Sequence, residues 1–317
     1  MIKSINYIKK NQIYKYKIFF LLCCLLVYFI KTKTLKLAIC TMARDENLYI
    51  NEYLDYYFKL GFDHIYIFDD NEKVTDNISQ AINDSYKNYV TIYNYRRIIK
   101  DQRIAYTLCY EMNKNKYDWI FMNDIDEYLI IKNNSLRNYL SQVKFQKCDF
   151  IKFQWLLAND NNLLHYDNRS LFERFKGPYK TDTHIKTIVR GNIDDLQYDI
   201  HTPFISPHRN VTCDNKGNVF KTKDIFFQDV FTFNYDEAYL LHYKYKSTEE
   251  YIRKYRRGYR WENAEFMKMR IDEYFQDNNI TLEKIDYIEK ELNLNLSNIR
   301  RYYYKKYNIT NNITKLY

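Results

Sequence analysis

The first half of the chain alternates short apolar runs with amphipathic segments. Leu35–Cys40, His64–Phe68, Val90–Tyr95 and Trp119–Met122 are apolar enough to read as buried strands. Between them, apolar residues recur at helical spacing. Residues 48–60 place Leu48, Tyr53, Leu54, Tyr57 and Phe58 on one face, with Gly61 where a C-cap belongs. After Asp101, a natural N-cap, Ile104, Ala105, Leu108, Cys109 and Met112 share another face. Strands alternating with helices over residues 35–130 predict an α/β fold, a mostly parallel central sheet with helices on both faces.

The second half reads less regularly. Ser135 caps an expected helix to about Val143, and Phe150–Leu157 and Thr183–Arg190 read as strands. Residues 158–182 are polar and irregular, and residues 191–238 carry no periodic signal. Ser247-Thr248-Glu249-Glu250 is a capping box that opens a helix closed by Gly258. Residues 281–305 predict one further helix, with Leu282, Ile285, Ile288 and Leu292 in register. The expected organisation is a domain over residues 34–260 and a C-terminal helical extension over 261–317.

Charge changes the picture at the N-terminus. The net charge is +9, yet residues 1–36 hold eight Lys and no acid, which leaves 41 basic and 40 acidic residues in the rest. A nucleic-acid binder carries its basic footprint on the folded domain, so no nucleic-acid partner is expected. Residues 18–30 are uncharged and apolar, behind a basic tail at 1–17. Thirteen residues fall short of the roughly 20 that span a bilayer, but flanking Lys residues and local thinning offset part of the mismatch. No small-residue cleavage site follows. The reading is a signal anchor in a single-pass type II membrane protein. Its N-terminus would be cytoplasmic and its catalytic domain would lie in an ER- or Golgi-like lumen. Cys40 and Cys109 read as small buried hydrophobes, whereas Cys148 and Cys213 could pair in an oxidising compartment.

The candidate chemistry sits at Asp118-Trp119-Ile120-Phe121-Met122-Asn123-Asp124-Ile125-Asp126-Glu127. A buried strand here ends in three carboxylates within four residues. In open α/β sheets ligands bind beyond the carboxyl ends of the strands. Carboxylates there hold a divalent cation against a diphosphate. A solvated acidic turn competes with that reading for one strand end. Acids also follow the first two strands, at Asp45/Glu46 and Asp69/Asp70, and a parallel sheet brings all three ends to one edge.

With these residues the chain resembles the nucleotide-sugar glycosyltransferases of the GT-A fold, and most of all glycosyltransferase family 92 with its family-2-like relatives. The resembling pieces run in family order over roughly residues 36–260. They are residues 38–46, the Glu52-Tyr53-Leu54-Asp55-Tyr56-Tyr57 helix, residues 61–70, residues 123–129, Lys186-Thr187-Ile188-Val189-Arg190 and His242-Tyr243-Lys244-Tyr245-Lys246-Ser247. The resemblance implies transfer of a hexose, such as galactose, from a UDP-sugar to a glycan or glycoconjugate hydroxyl, with inversion. It implies Mn²⁺ or Mg²⁺ held by Asp124, Asp126 and His242. It assigns Arg44, Asp45, Asp70, Asp124, Lys244 and Lys246 to the nucleotide sugar, with the amino end of the helix after Ser247 beside the diphosphate. The expected catalytic base is Asp160 or Glu173, after the strand bearing Trp155. The family commonly has Trp-x-x-Phe-Gly where this chain has Trp155-Leu156-Leu157-Ala158-Asn159, a departure on the acceptor side. His184, His201 and His208 read as structural or acceptor-side groups. The competing functions are a nucleotidyltransferase and a glycan-binding scaffold that keeps the fold without turnover.

Overall fold

The computed structural model describes residues 34–96, 101–132, 134–204, 211–219, 235–258 and 264–307. The expected anchor at 18–30 and His208 lie outside them. No helix among the described residues is long and apolar enough to cross a membrane. Residues 36–317 form one unit.

The strands are β1 (Leu37–Ala43), β2 (His64–Asp69), β3 (Val90–Asn94), β4 (Trp119–Met122), β5 (Glu127–Ile131), β6 (Phe150–Ala158), β7 (Tyr179–Arg190), β8 (Gln197–Tyr198), β9 (Pro203–Phe204), β10 (Thr212–Cys213) and β11 (Ala238–His242). Helices of ten residues or more among the described residues are α1 (Ile50–Leu60), α2 (Gln102–Asn113), α3 (Thr248–Arg257), α4 (Ala264–Asp277), α5 (Leu282–Leu292) and α6 (Ser297–Lys306).

The main sheet runs β3-β2-β1-β4-β7-β6-β11-β5, with β10 added beside β6. Its first four strands are parallel. β7 lies antiparallel to both β4 and β6, and β11 is parallel to β6 but antiparallel to β5. The sheet is thus mostly parallel, as expected, with only β5 and β7 running against the other strands. Both reversed strands lie in the half where the sequence lacks regular strand–helix alternation.

Helices cover both faces, as the alternation predicts. On one, Ala105, Tyr106, Cys109 and Tyr110 of α2 pack with Ala38, Cys40, Ile120 and Met122. On the other, Tyr57 of α1 meets Phe62, and Phe62 stacks on Phe121. Gly61 ends α1 at φ 117°, a conformation an L side chain resists, and its N–H reaches the carbonyls of Tyr57 and Phe58.

The sequence misplaces the buried face of α2. Ile104, Leu108 and Met112 are exposed, and Tyr106 and Tyr110 point inward instead. Their hydroxyls have partners there: Tyr106 donates to Asp124, and Tyr110 to the Arg190 carbonyl. Cys109 is bonded to Cys40, so those two cysteines are not free hydrophobes, and Cys148 pairs with Cys213. The bridges join residues 69 and 65 positions apart, and a bridge over such loops typically contributes about 2–4 kcal/mol.

The predicted helix at 281–305 is two helices, broken where Asn293 adopts φ 51°. These C-terminal helices share a core with α3: Tyr245, Tyr251 and Ile252 pack with Ile271, Tyr274, Ile285 and Ile288.

Candidate active site

Two tyrosines one turn apart on α1 hold the acidic loop in place. Tyr53 donates to Asn123 Oδ1 at 2.5 Å, and Tyr57 donates to the Glu127 carbonyl at 2.8 Å. Asn123 returns a hydrogen bond to the Tyr57 hydroxyl at 2.6 Å. The loop closes on itself, with the Asp124 N–H on Glu127 Oε2 at 3.0 Å.

The two aspartates of the loop then meet different partners. Asp124 accepts from Gln102 at 2.5 Å and Tyr106 at 2.7 Å on one oxygen, and from Lys186 at 2.9 Å on the other. Burial pushes its carboxyl up, but the Lys186 charge and the Tyr106 hydroxyl outweigh that and hold it below the usual carboxylate range. Asp126 accepts from Lys254 at 2.8 Å on one oxygen, and its other oxygen stands 3.5 Å from His242 Nε2. Burial is again the largest influence, yet Lys254 and His242 hold this carboxyl well below the ordinary value. Burial drives Glu127 the other way, well above it, despite Lys186 at 3.7 Å.

His242 reaches Asp126 through sheet register. β11 pairs antiparallel with β5 so that His242 stands opposite Glu127, and the next N–H, of Tyr243, binds the Asp126 carbonyl at 2.8 Å. Burial lowers the affinity of His242 for a proton, with Asp126 opposing, so its net shift is downward. Its Nδ1 is buried and has no hydrogen-bond partner among the described residues.

A cavity of about 500 Å³ opens at the ends of β1 and β2; Asp126 does not line it but pairs with Lys254, which does. Asp45, Glu46 and Asn71 line the strand side, and Lys244, Lys246, Arg253, Lys254, Arg256 and Arg257 the other. Asp45 sits at φ 55° with its N–H on Asn71. Lys246 pairs with Glu46 at 3.1 Å and is buried over the Tyr49 ring. Arg257 also reaches Glu46 at 3.1 Å, and Lys244 is paired with Glu273. Burial lowers the proton affinity of both Lys244 and Lys246. Arg44 binds Glu72 and the Arg257 carbonyl. Asp70 is buried, its N–H on the Ala43 carbonyl at 2.8 Å.

Three expectations meet a different arrangement. The amino end of α3 is not presented to a diphosphate: the Thr248 and Glu249 N–H groups bind the Leu163 and Leu164 carbonyls, and Ser247 caps Glu250. The cationic face of the same helix lines the cavity instead. Asp160 is buried, accepts from Tyr274 at 2.7 Å and lies 2.6 Å from Lys284 of α5. Glu173 caps its own short helix through Ser170. Neither carboxylate lines the cavity, and nor do Asp70, Asp124, Asp126 or His242. Lys254 and Arg257 were missed because a run of basic residues on a helix reads as a solvated face. Lys186 enters the sequence reading as part of a strand and of the family-like Lys186-Thr187-Ile188-Val189-Arg190 segment, with no role of its own.

The family model for glycosyltransferase family 92 matches residues 33–296. The chain belongs to glycosyltransferase family 92. A family 92 protein of Oryza sativa subsp. japonica is 28% identical over 116 residues, which are 34% of this chain and 19% of that relative's length. The chain thus spans about a fifth of the curated relative it matches. Among solved structures, S. aureus TarS 1–349 is 13% identical, with 49% of this chain and 47% of that one covered at a TM-score of 0.31. GalNAc-T7 with UDP, GalNAc and Mn²⁺ is 14% identical, with 40% and 24% covered at 0.29. The family 92 chain has a mixed α/β fold.

Proposed function

We propose that this family 92 chain transfers a hexose from a UDP-sugar to a glycan or glycoconjugate hydroxyl, with inversion and with the aid of a divalent cation. One observation carries the reading: a cavity walled by cations lies at the ends of parallel strands, and one of those cations, Lys254, pairs with an ionised Asp126. Arg and Lys side chains there suit a diphosphate. Asp45 and Asn71, on the strand side, suit the nucleoside.

The donor set fits a divalent ion in part. No three His, Cys, Asp or Glu side chains converge as a metal group among the described residues. Cations of the Mg²⁺ type, however, are held by one or two carboxylates together with substrate phosphates. Asp126 and His242 supply a carboxylate and a buried imidazole side by side. Asp124 is engaged by Gln102, Tyr106 and Lys186, as Asp126 is by Lys254 and His242, so an ion at either carboxylate would displace an existing partner. Such an ion neutralises charge on a departing diphosphate. The protein's own share is to hold Asp126 ionised through Lys254, and to offer Lys246, Arg253 and Arg257 to the phosphates.

Two disulfides among the described residues and the apolar run at 18–30 support a membrane-anchored enzyme in an oxidising lumen. The test is UDP release from a panel of UDP-sugars with Mn²⁺ and with EDTA. Metal-dependent release that prefers one sugar is the expected result. Pyrophosphate release in place of UDP would favour nucleotidyl transfer, and glycan binding without any release would favour a scaffold.

A further inference from the structure

The triplet Asn-x-Ser/Thr, the acceptor sequence for N-linked glycans, recurs more often than composition gives. Random placement of 33 Asn and 26 Ser or Thr among 317 residues yields about three such triplets, and the chain has nine, none with Pro in the middle. An abundance of Asn therefore does not account for them. Five have their Asn among the described residues: Asn77, Asn83, Asn168, Asn279 and Asn295.

The fold treats these five differently from other asparagines. Nine others among the described residues donate Nδ2 to another group. Asn51 holds the Ala81 carbonyl at 2.6 Å, Asn161 the Arg174 carbonyl at 2.9 Å and Asn278 the Tyr274 carbonyl at 2.8 Å. None of the five triplet asparagines donates its Nδ2. Asn83, Asn168, Asn279 and Asn295 are exposed, and Asn77 is half-buried.

Turn chemistry explains two of them. Asn77 Oδ1 accepts from the Ser79 N–H at 3.0 Å, and Asn295 Oδ1 from the Ser297 N–H at 2.9 Å. A spacing of two is what such a turn requires. The other three have no such account. Ser170 and Thr281 cap the helices Leu171–Arg174 and α5, which explains the hydroxyls. The side chains of Asn168 and Asn279, two residues earlier, bond nothing. Asn83 uses its backbone N–H on Asn51 at 2.9 Å, and its side chain is likewise unengaged. The three stand in the connections β2–β3, β6–β7 and α4–α5, and none lines the cavity. An exposed amide nitrogen with no structural task can carry a bulky substituent at no cost to the fold.

We propose that Asn83, Asn168 and Asn279 carry N-linked glycans. The proposal rests on the lumenal reading of the folded domain. In the step, Nδ2 bonds to the anomeric carbon of a lipid-linked oligosaccharyl diphosphate, and the bond from that carbon to the diphosphate oxygen breaks. The electron pair of that bond leaves with the lipid diphosphate, and the proton lost from Nδ2 passes to a base of the transferring enzyme. The glycans stand clear of the donor cavity.

The test expresses the full chain in cultured animal cells and recovers it in sealed microsomes. Peptide N-glycosidase in heavy-oxygen water removes such glycans and leaves each acceptor as heavy-oxygen Asp. Peptide mass mapping should find that label at Asn83, Asn168 and Asn279, and protease added outside the sealed microsomes should leave the domain intact. Asn83→Gln, Asn168→Gln and Asn279→Gln should each remove the label at that position alone, with UDP affinity within about threefold of wild type. The assignment of a residue falls if its peptide comes unlabelled, as Asn, from chain that the microsomes protect. Label confined to Asn77 and Asn295 would overturn the assignment as a whole. If outside protease digests the domain in sealed microsomes, the lumenal reading fails and the glycans fail with it.

Discussion

The two halves of the sheet bring polar side chains to the same edge by different means. In the β3-β2-β1-β4 half every strand runs the same way, so whatever follows a strand lies at that edge. Asp45, Asp70 and Asp124 are there by topology alone. In the β7-β6-β11-β5 half directions mix, and each contributor needs a particular device. His242 arrives because β11 pairs with the start of β5, and Lys254 because α3 follows β11 closely. A residue at a parallel strand end carries its location in the local sequence. A residue in the mixed half carries it in a pairing partner far along the chain.

That contrast predicts effects of different kinds. Asp126→Ala, on the parallel side, should lower UDP release by about 10³-fold or more, because charge on the leaving diphosphate loses its stabilisation. Arg174→Ala, on the mixed side, should act on stability instead. Arg174 is buried and binds Glu250 at 2.7 Å, so its removal strands a buried carboxylate at a cost of about 3–5 kcal/mol, read by urea denaturation. The double variant Arg174→Met, Glu250→Leu should recover most of that loss. Asp160→Asn should likewise lower the denaturation midpoint, because it removes the charge paired with buried Lys284, while UDP release per folded molecule changes by less than about threefold. A large loss of turnover at unchanged stability would return Asp160 to the role of base. Lys254→Ala should weaken UDP binding by about tenfold, an effect that shrinks as salt rises, and Lys254→Arg should recover part of it. Glu173→Gln should be smallest, weakening only an exposed cap hydrogen bond, with the denaturation midpoint barely moved and turnover unchanged.

Legibility in the sequence follows the same division. β1, β2, β3, β4 and the capped helices were readable because their signals are local: apolar runs, a capping box, a glycine after a helix. The face of α2 was not, because what turns Tyr106 and Tyr110 inward is an acceptor on another element, and what fixes Cys109 is a bond to a strand 69 positions away. β5 and β11 are five residues each, too short to show a period. Of the candidate site, the acidic loop and His242 were legible, and their adjacency is real. The cationic wall was not. Arg253, Lys254, Arg256 and Arg257 look like any solvated helix end until α3 is placed against the ends of β1 and β2.

The central claim is that the cavity lined by Lys254, the partner of Asp126, holds a nucleoside diphosphate together with a divalent ion. Calorimetric titration of the full chain with UDP tests it most directly, in Mn²⁺, in EDTA, and with Asp126→Ala. The account predicts binding in Mn²⁺ that weakens by about tenfold or more in EDTA and by a similar factor in the variant. UDP binding of equal strength in all three samples, or none in folded wild type, would contradict it.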